Sequence, residues 1–105
     1  MRFRQWSKLS QPAPTTCRRR HLDGRQAAQE ALDAAEQAGV KVGVLFCESA
    51  VSCGGQFTFP EGWLKGVYQV MRAHGVLCVA DEVQSGFGRL GDRFWGFESQ
   101  VRWEL

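Results

Sequence analysis

The sequence predicts a mixed α/β fold organised around one parallel βαβ unit. Three observations carry this. Two short apolar runs, Val40–Cys47 and Val76–Ala80, are each followed by an acid, Glu48 and Asp81, and a stretch with helical spacing separates them. Strand, helix and strand joined by short connections place the strands parallel and side by side, with their carboxyl ends on one edge.

The first element is a helix. Asp23 followed three positions later by Gln26 has the form of a capping box, and Ala27, Ala31, Leu32, Ala34, Ala35 and Ala38 make a small-residue helix that Gly39 stops. The run VKVGVLFC that follows is rich in branched side chains, as expected of a strand covered on both faces. ESAVSCGGQ then supplies turn chemistry. Pro60 suits the start of a second helix over 61–74, in which Trp63, Leu64, Val67, Val70 and Met71 share one face and Gly75 ends the element. Trp63 and Tyr68 are read as packing residues.

Ahead of this lies a different text. Residues 1–22 have no periodicity, contain Pro12 and Pro14, and read as an unstructured basic leader. Residues 1–25 hold seven basic side chains against Asp23 alone, a charge of +6, which leaves −4 for the rest of a chain with net charge +2. A solvated tail, a transit-peptide-like leader and a phosphate-binding patch at Arg18–Arg20 all fit that composition, the first being the default for a charge run. Nucleic acid and membrane are not expected partners. No apolar run approaches the roughly 20 residues of a membrane span, so the chain reads as soluble and intracellular, cytoplasmic or mitochondrial.

Four cysteines, Cys17, Cys47, Cys53 and Cys78, form no C-x-x-C pair and stand at no metal-site spacing from His21 or His74. Cys47 and Cys78 fall in the strand runs and read as buried, reduced thiols.

Glu48 and Asp81 matter because open α/β sheets bind ligands at the carboxyl ends of their strands. Pattern alone equally allows two solvated strand-end acids. The stretch ADEVQSGFGRLG (Ala80–Gly91), with ES-x3-GGQ (Glu48–Gln56), Pro60, Gly62 and the continuation to Phe97, resembles the class III pyridoxal-phosphate-dependent aminotransferases, in particular the subgroup of phospho-lyases acting on phosphoethanolamine or phosphohydroxylysine. The likeness covers about residues 24–100. It implies that residues 23–100 are part of the large domain of a fold-type I transferase, with 101–105 an unmatched tail.

The resemblance also implies roles. Asp81 stands where the family places a carboxylate beside the ring nitrogen of pyridoxal phosphate, favouring the protonated ring that draws electrons from a carbanion. Gln84 corresponds to the residue that hydrogen-bonds the ring's phenolic oxygen, and Val83 to one that packs on a ring face. Glu48 either orients Gln84 or caps backbone amides of the turn after it. Gly54, Gly55, Gly86 and Gly88 are architectural, and Arg89 is a structural ion-pair partner or a substrate-phosphate clamp. Phe94, Trp95 and Phe97 read as core or subunit contact. The substrate implied is a small amine, in the phospho-lyase subgroup a phosphorylated one, and the assembly a homodimer.

The family also needs a lysine that carries the cofactor covalently, downstream of this signature. Here Lys8, Lys41 and Lys65 are the lysines, and none stands at that place, so the chain by itself is expected to be a catalytically inactive fragment. A non-catalytic protein that binds a full-length paralogue subunit is the alternative. Two strands and two helices make a marginal fold, and unpaired strand edges invite association.

Overall fold

A computed structural model of the chain describes residues 23–52 and 55–100. The expected leader and tail therefore lie outside the described residues, as do Cys17, Cys53, Gly54 and Lys8. The elements are helix α1 (Gly24–Gln37), strands β1 (Val44–Glu48), β2 (Ala50–Val51) and β3 (Phe57–Thr58), helix α2 (Trp63–Ala73), strand β4 (Leu77–Asp81) and a 3-10 helix, Gly96–Ser99.

β1, α2 and β4 form the βαβ unit. β1 and β4 pair in parallel, in a register running from Val44 opposite Leu77 to Glu48 opposite Asp81. The mixed α/β class with a parallel strand pair is thus present. β2 and β3 pair antiparallel, Ala50 with Thr58 and Val51 with Phe57, so the segment expected to be a turn folds into a short hairpin. Two-residue strands are too brief to leave a periodic signal.

α1 is capped by Asp23, whose Oδ1 accepts the Arg25 N–H at 3.4 Å. The reciprocal half of the capping box does not form, because Gln26 donates to Glu30 one turn ahead at 3.1 Å instead of reaching back. At the other end Gly39 takes φ +67°, its N–H bonds Glu36 O, and the Val40 N–H bonds Ala35 O. These two bonds satisfy carbonyls that the last helical turn would leave open.

α2 starts at Trp63, later than the expected residue 61. Pro60 is not its first residue but part of the turn before it, its carbonyl accepting the Trp63 N–H at 3.0 Å. Gly62, at φ +75°, precedes the helix in a conformation that an L side chain resists.

The two helices meet at their amino ends, backbone to backbone. A Cβ on Gly24 would stand 2.0 Å from the Trp63 carbonyl oxygen, and one on Gly66 would stand 3.0 Å from Arg25 Cγ. Hydrogen at both positions is what allows this approach. Behind it lies the core of Ala28, Leu45, Val51, Phe59, Leu64, Val67, Tyr68, Met71 and Val76, with Leu64 and Met71 enclosed completely. Burial of each such large apolar side chain contributes about 1.5–3 kcal/mol.

Coverage of the sheet on both faces, expected from the continuous apolar run, is corrected. Leu45 is buried on the helix side, while Phe46 and Leu77 are 62% and 65% exposed and Val44 also faces out. Among the described residues α2, with α1 packed on it, covers one face only, because one crossover helix serves two strands. β1 and β4 pair only with each other among the described residues, which leaves their outer edges without a strand partner.

Candidate functional site

The parallel register brings Glu48 and Asp81 to the same edge as direct partners. Each then bonds forward into its own turn. Asp81, half-buried, accepts the Val83 N–H on Oδ1 at 3.0 Å, and this i to i+2 bond bends the chain off the strand. Among the described residues the other Asp81 oxygen accepts no hydrogen bond. Glu48 accepts both the N–H and the hydroxyl of Ser52 on Oε2, each at 3.0 Å. Of the two readings open for Glu48, capping of the following turn is the one its geometry takes, and no bond reaches Gln84.

Val83 is 88% exposed and Gln84 is exposed beside it. Gln84 lines an open groove of about 600 Å³ with Ser52, Gln56, Thr58, Ser85 and Leu90, one wall of which is the unexpected hairpin. Asp81, Val83 and Glu48 do not line that groove. The structure therefore brings Asp81, Val83 and Gln84 together as one short turn at a sheet edge, with Gln84 alone facing the cavity.

Glu82, which no sequence motif singles out, is the most heavily bonded acid of this edge. Its Oε1 accepts the Ser49 hydroxyl and the Phe97 N–H at 2.8 Å, and its Oε2 accepts the Ser85 hydroxyl and the Gly96 N–H, both at 2.7 Å. Desolvation by itself would push this carboxyl up, but the four donors outweigh it and hold Glu82 below its ordinary range. A serine three residues after the acid was the available local signal. The amides at 96 and 97 lie too far along the chain to be linked to it by any pattern.

Other ionisable groups are masked by burial. The Cys47 thiol is pushed up to about 11 by desolvation and then by the charges of Glu48 and Asp81. Tyr68 is raised by burial first, with Cys47, Cys78 and Glu82 adding to it, and its hydroxyl is enclosed with no hydrogen-bond partner among the described residues. Cys47 and Cys78 are free thiols, as expected, though half-buried rather than fully enclosed. No cluster able to hold a metal ion occurs among the described residues.

One expectation changes. Arg89 is exposed and makes no ion pair among the described residues; the pair formed nearby is Arg93 with Asp92, at 3.8 Å. The aromatic group divides. Phe97 packs toward the core, whereas Phe94 and Trp95 join Phe87 in an edge-on cluster, with centroids 4.8 to 5.4 Å apart, that leaves Phe87 and Phe94 more than half exposed. Gly88 at φ +75°, and Gly86, where a Cβ would meet the Glu82 carbonyl oxygen at 2.9 Å, are architectural as read.

Lys41 precedes β1 and so sits at the end of the sheet opposite Asp81, and Lys65 is on α2. No described helix is long and apolar enough to cross a membrane.

The family described as aminotransferase class-III matches residues 3–101. The chain is 48% identical over 62 residues to a Drosophila melanogaster protein named alanine–glyoxylate aminotransferase 2-like, covering 59% of this chain and 13% of that protein. It is 48% identical over 54 residues to the human mitochondrial alanine–glyoxylate aminotransferase 2, covering 51% and 10%. A Caenorhabditis elegans protein named ethanolamine-phosphate phospho-lyase homolog 1 is 44% identical over 57 residues, covering 54% and 12%. The aligned part thus spans only 10% to 13% of these relatives.

Proposed function

Because the chain belongs to the class III aminotransferase family, whose members generally depend on pyridoxal phosphate and act on amines, we propose that its Asp81 turn is the ring-binding wall of a pyridoxal-phosphate site. The observation that carries this reading is the Asp81 carboxylate, held by one oxygen through the Val83 N–H and with no hydrogen bond on the other among the described residues, at the edge of a parallel sheet where ligands bind. That donor set fits a protonated pyridine ring: a fixed carboxylate for the ring N–H, an exposed Val83 for a ring face and an exposed Gln84 for a ring oxygen.

When bound, pyridoxal phosphate supplies an electron sink for the carbanion of an amino substrate. Asp81 keeps a proton on the ring nitrogen by placing negative charge beside it. Val83 excludes water from one face, and Gln84 orients the ring. Glu48 acts at one remove, by fixing the turn at Ser52 that borders the groove. Lys8, Lys41 and Lys65 do not stand at the place in the sequence where the family carries its cofactor covalently, so these residues bind and tune, and the 105-residue chain alone is expected to show no turnover.

The whole protein's reaction is amino transfer to a keto acid or elimination of phosphate from a phosphorylated amine, in a homodimer; the names of the relatives support both chemistries. The human relative's name favours mitochondria over the cytoplasm. The exposed Val44, Phe46 and Leu77 support a second reading, in which the chain docks on a full-length paralogue subunit without catalysis.

Both readings meet one experiment. The native protein is captured with an antibody to residues 61–74, treated with borohydride and weighed intact. A longer species with a reduced cofactor adduct supports the enzyme. A species of 105 residues with no adduct, co-purifying with a paralogue, supports the docking role. In the cofactor-bearing protein, Asp81→Asn is expected to lower turnover by roughly 100- to 1000-fold, the scale for losing one preorganised electrostatic group. Unchanged turnover would remove Asp81 from the site.

A further inference from the structure

Between Asp81 and Gln84 stands a residue that the cofactor reading does not use, although it is bonded more heavily than either. Glu82 gathers donors from three separated segments: Ser49 at the end of β1, Ser85 in its own turn, and the Gly96 and Phe97 amides of the 3-10 helix. Ser49 and Ser85 are both buried. The arrangement is built closely, since a Cβ on Gly96 would stand 2.8 Å from Ser85 Cβ and 3.0 Å from Glu82 Oε2.

The chemistry asks for a carboxylate and no substitute. Each oxygen accepts one hydroxyl and one backbone N–H. Hydroxyls can turn round and accept, but backbone N–H groups cannot. A glutamine here would set its NH2 against either the Gly96 or the Phe97 amide in both of its orientations, so one of these backbone donors would always lose its acceptor at residue 82.

We infer that Glu82 is the positioning residue of the Asp81 site: by tying the β1 end and the 96–97 amides to the turn, it sets where Asp81 and Gln84 stand relative to each other. This rests on the cofactor reading above. The turn between them is held from both sides, by the Val83 N–H on the Asp81 carboxylate and by the Ser85 hydroxyl on the Glu82 carboxylate, with the Gly86 N–H on the Glu82 backbone carbonyl closing it, so a shift of the Glu82 side chain reaches both ring contacts.

The test compares Glu82→Gln, Glu82→Asp and Ser85→Ala with the unsubstituted native protein loaded with pyridoxal phosphate. Three quantities are read: hydrogen exchange at the Gly96 and Phe97 amides, cofactor retention on dialysis, and the pH midpoint of the bound cofactor's absorption. Glu82→Gln is expected to speed exchange, weaken retention by roughly tenfold or more, the scale on which outer partners of a binding group act, and move the midpoint. Glu82→Asp recovers part of this, and Ser85→Ala shows a smaller change in the same direction.

Faster exchange with retention and midpoint unchanged would make Glu82 a brace for the fold alone and overturn the proposal. Should Glu82→Gln fail to fold, Ser85→Ala decides on the same two quantities. If the unsubstituted protein holds no cofactor, the cofactor reading falls and this proposal with it, an outcome distinct from cofactor binding that is indifferent to Glu82.

Discussion

Glu48 and Asp81, partners at the last position of the parallel register, each accept a backbone N–H from the turn that follows their own strand, Ser52 for one and Val83 for the other. Two carboxylates end side by side at one edge. Their difference lies in what remains: Glu48 also takes the Ser52 hydroxyl, whereas the second Asp81 oxygen accepts no hydrogen bond among the described residues.

That difference separates two substitutions. Glu48→Gln retains an acceptor for the Ser52 N–H and weakens only a charge-assisted pair, so a loss of about 1–2 kcal/mol is expected in urea unfolding, with the cofactor's pH midpoint unmoved. Asp81→Asn is expected to move the midpoint. A midpoint shift for Glu48→Gln would restore the role of orienting Gln84.

The backbone contact between helices gives a sharper stability test. Gly24→Ala places a carbon 2.0 Å from the Trp63 carbonyl oxygen, and neither partner is a flexible side chain. A destabilisation of about 1–3 kcal/mol or more is expected by denaturant titration. Gly43→Ala, with nothing within 4 Å of its Cβ and no positive φ, is the matched control and is expected to be close to neutral.

Core and open face are expected to respond in opposite ways. Leu64→Ala empties an enclosed site and should cost about 2–5 kcal/mol. Phe46→Ser on the uncovered sheet face should change stability by about 0.5 kcal/mol or less and reduce self-association at high concentration, measured by light scattering. A large loss for Phe46→Ser would mean that something covers this face.

Acid should release the Glu82 network. A carboxyl lowered by folding stabilises the native state above its unfolded value, near 4.5, and that contribution is lost as pH falls through the lower folded value. The Glu82→Gln protein should therefore show a shallower fall in stability on the acid side. Cys47 has the opposite sign: its thiol rises from 9.0 to about 11, so the folded state loses stability as pH climbs between these values. Alkylation of Cys47 should be slow at pH 8 beside a free thiol, and speed up on unfolding.

What local pattern could determine, it did. Gly39 stops α1 because only a residue tolerant of positive φ can close the last turn, and the apolar runs ending in Glu48 and Asp81 form parallel strands because a helix-length spacer joins them. The motif from Ala80 to Gly91 carried the family, since an ordered string of residues is itself sequence information.

Tertiary structure alone decided the rest. Whether Glu48 capped or oriented depended on where Ser52 came to lie, and Glu82 became a four-donor centre only when residues 49, 85, 96 and 97 met. Hydrophobic periodicity reports which side of an element is apolar. It does not report which polar donors arrive from elsewhere in the chain, nor that one apolar face of this sheet stays uncovered, because those depend on packing between segments distant in sequence.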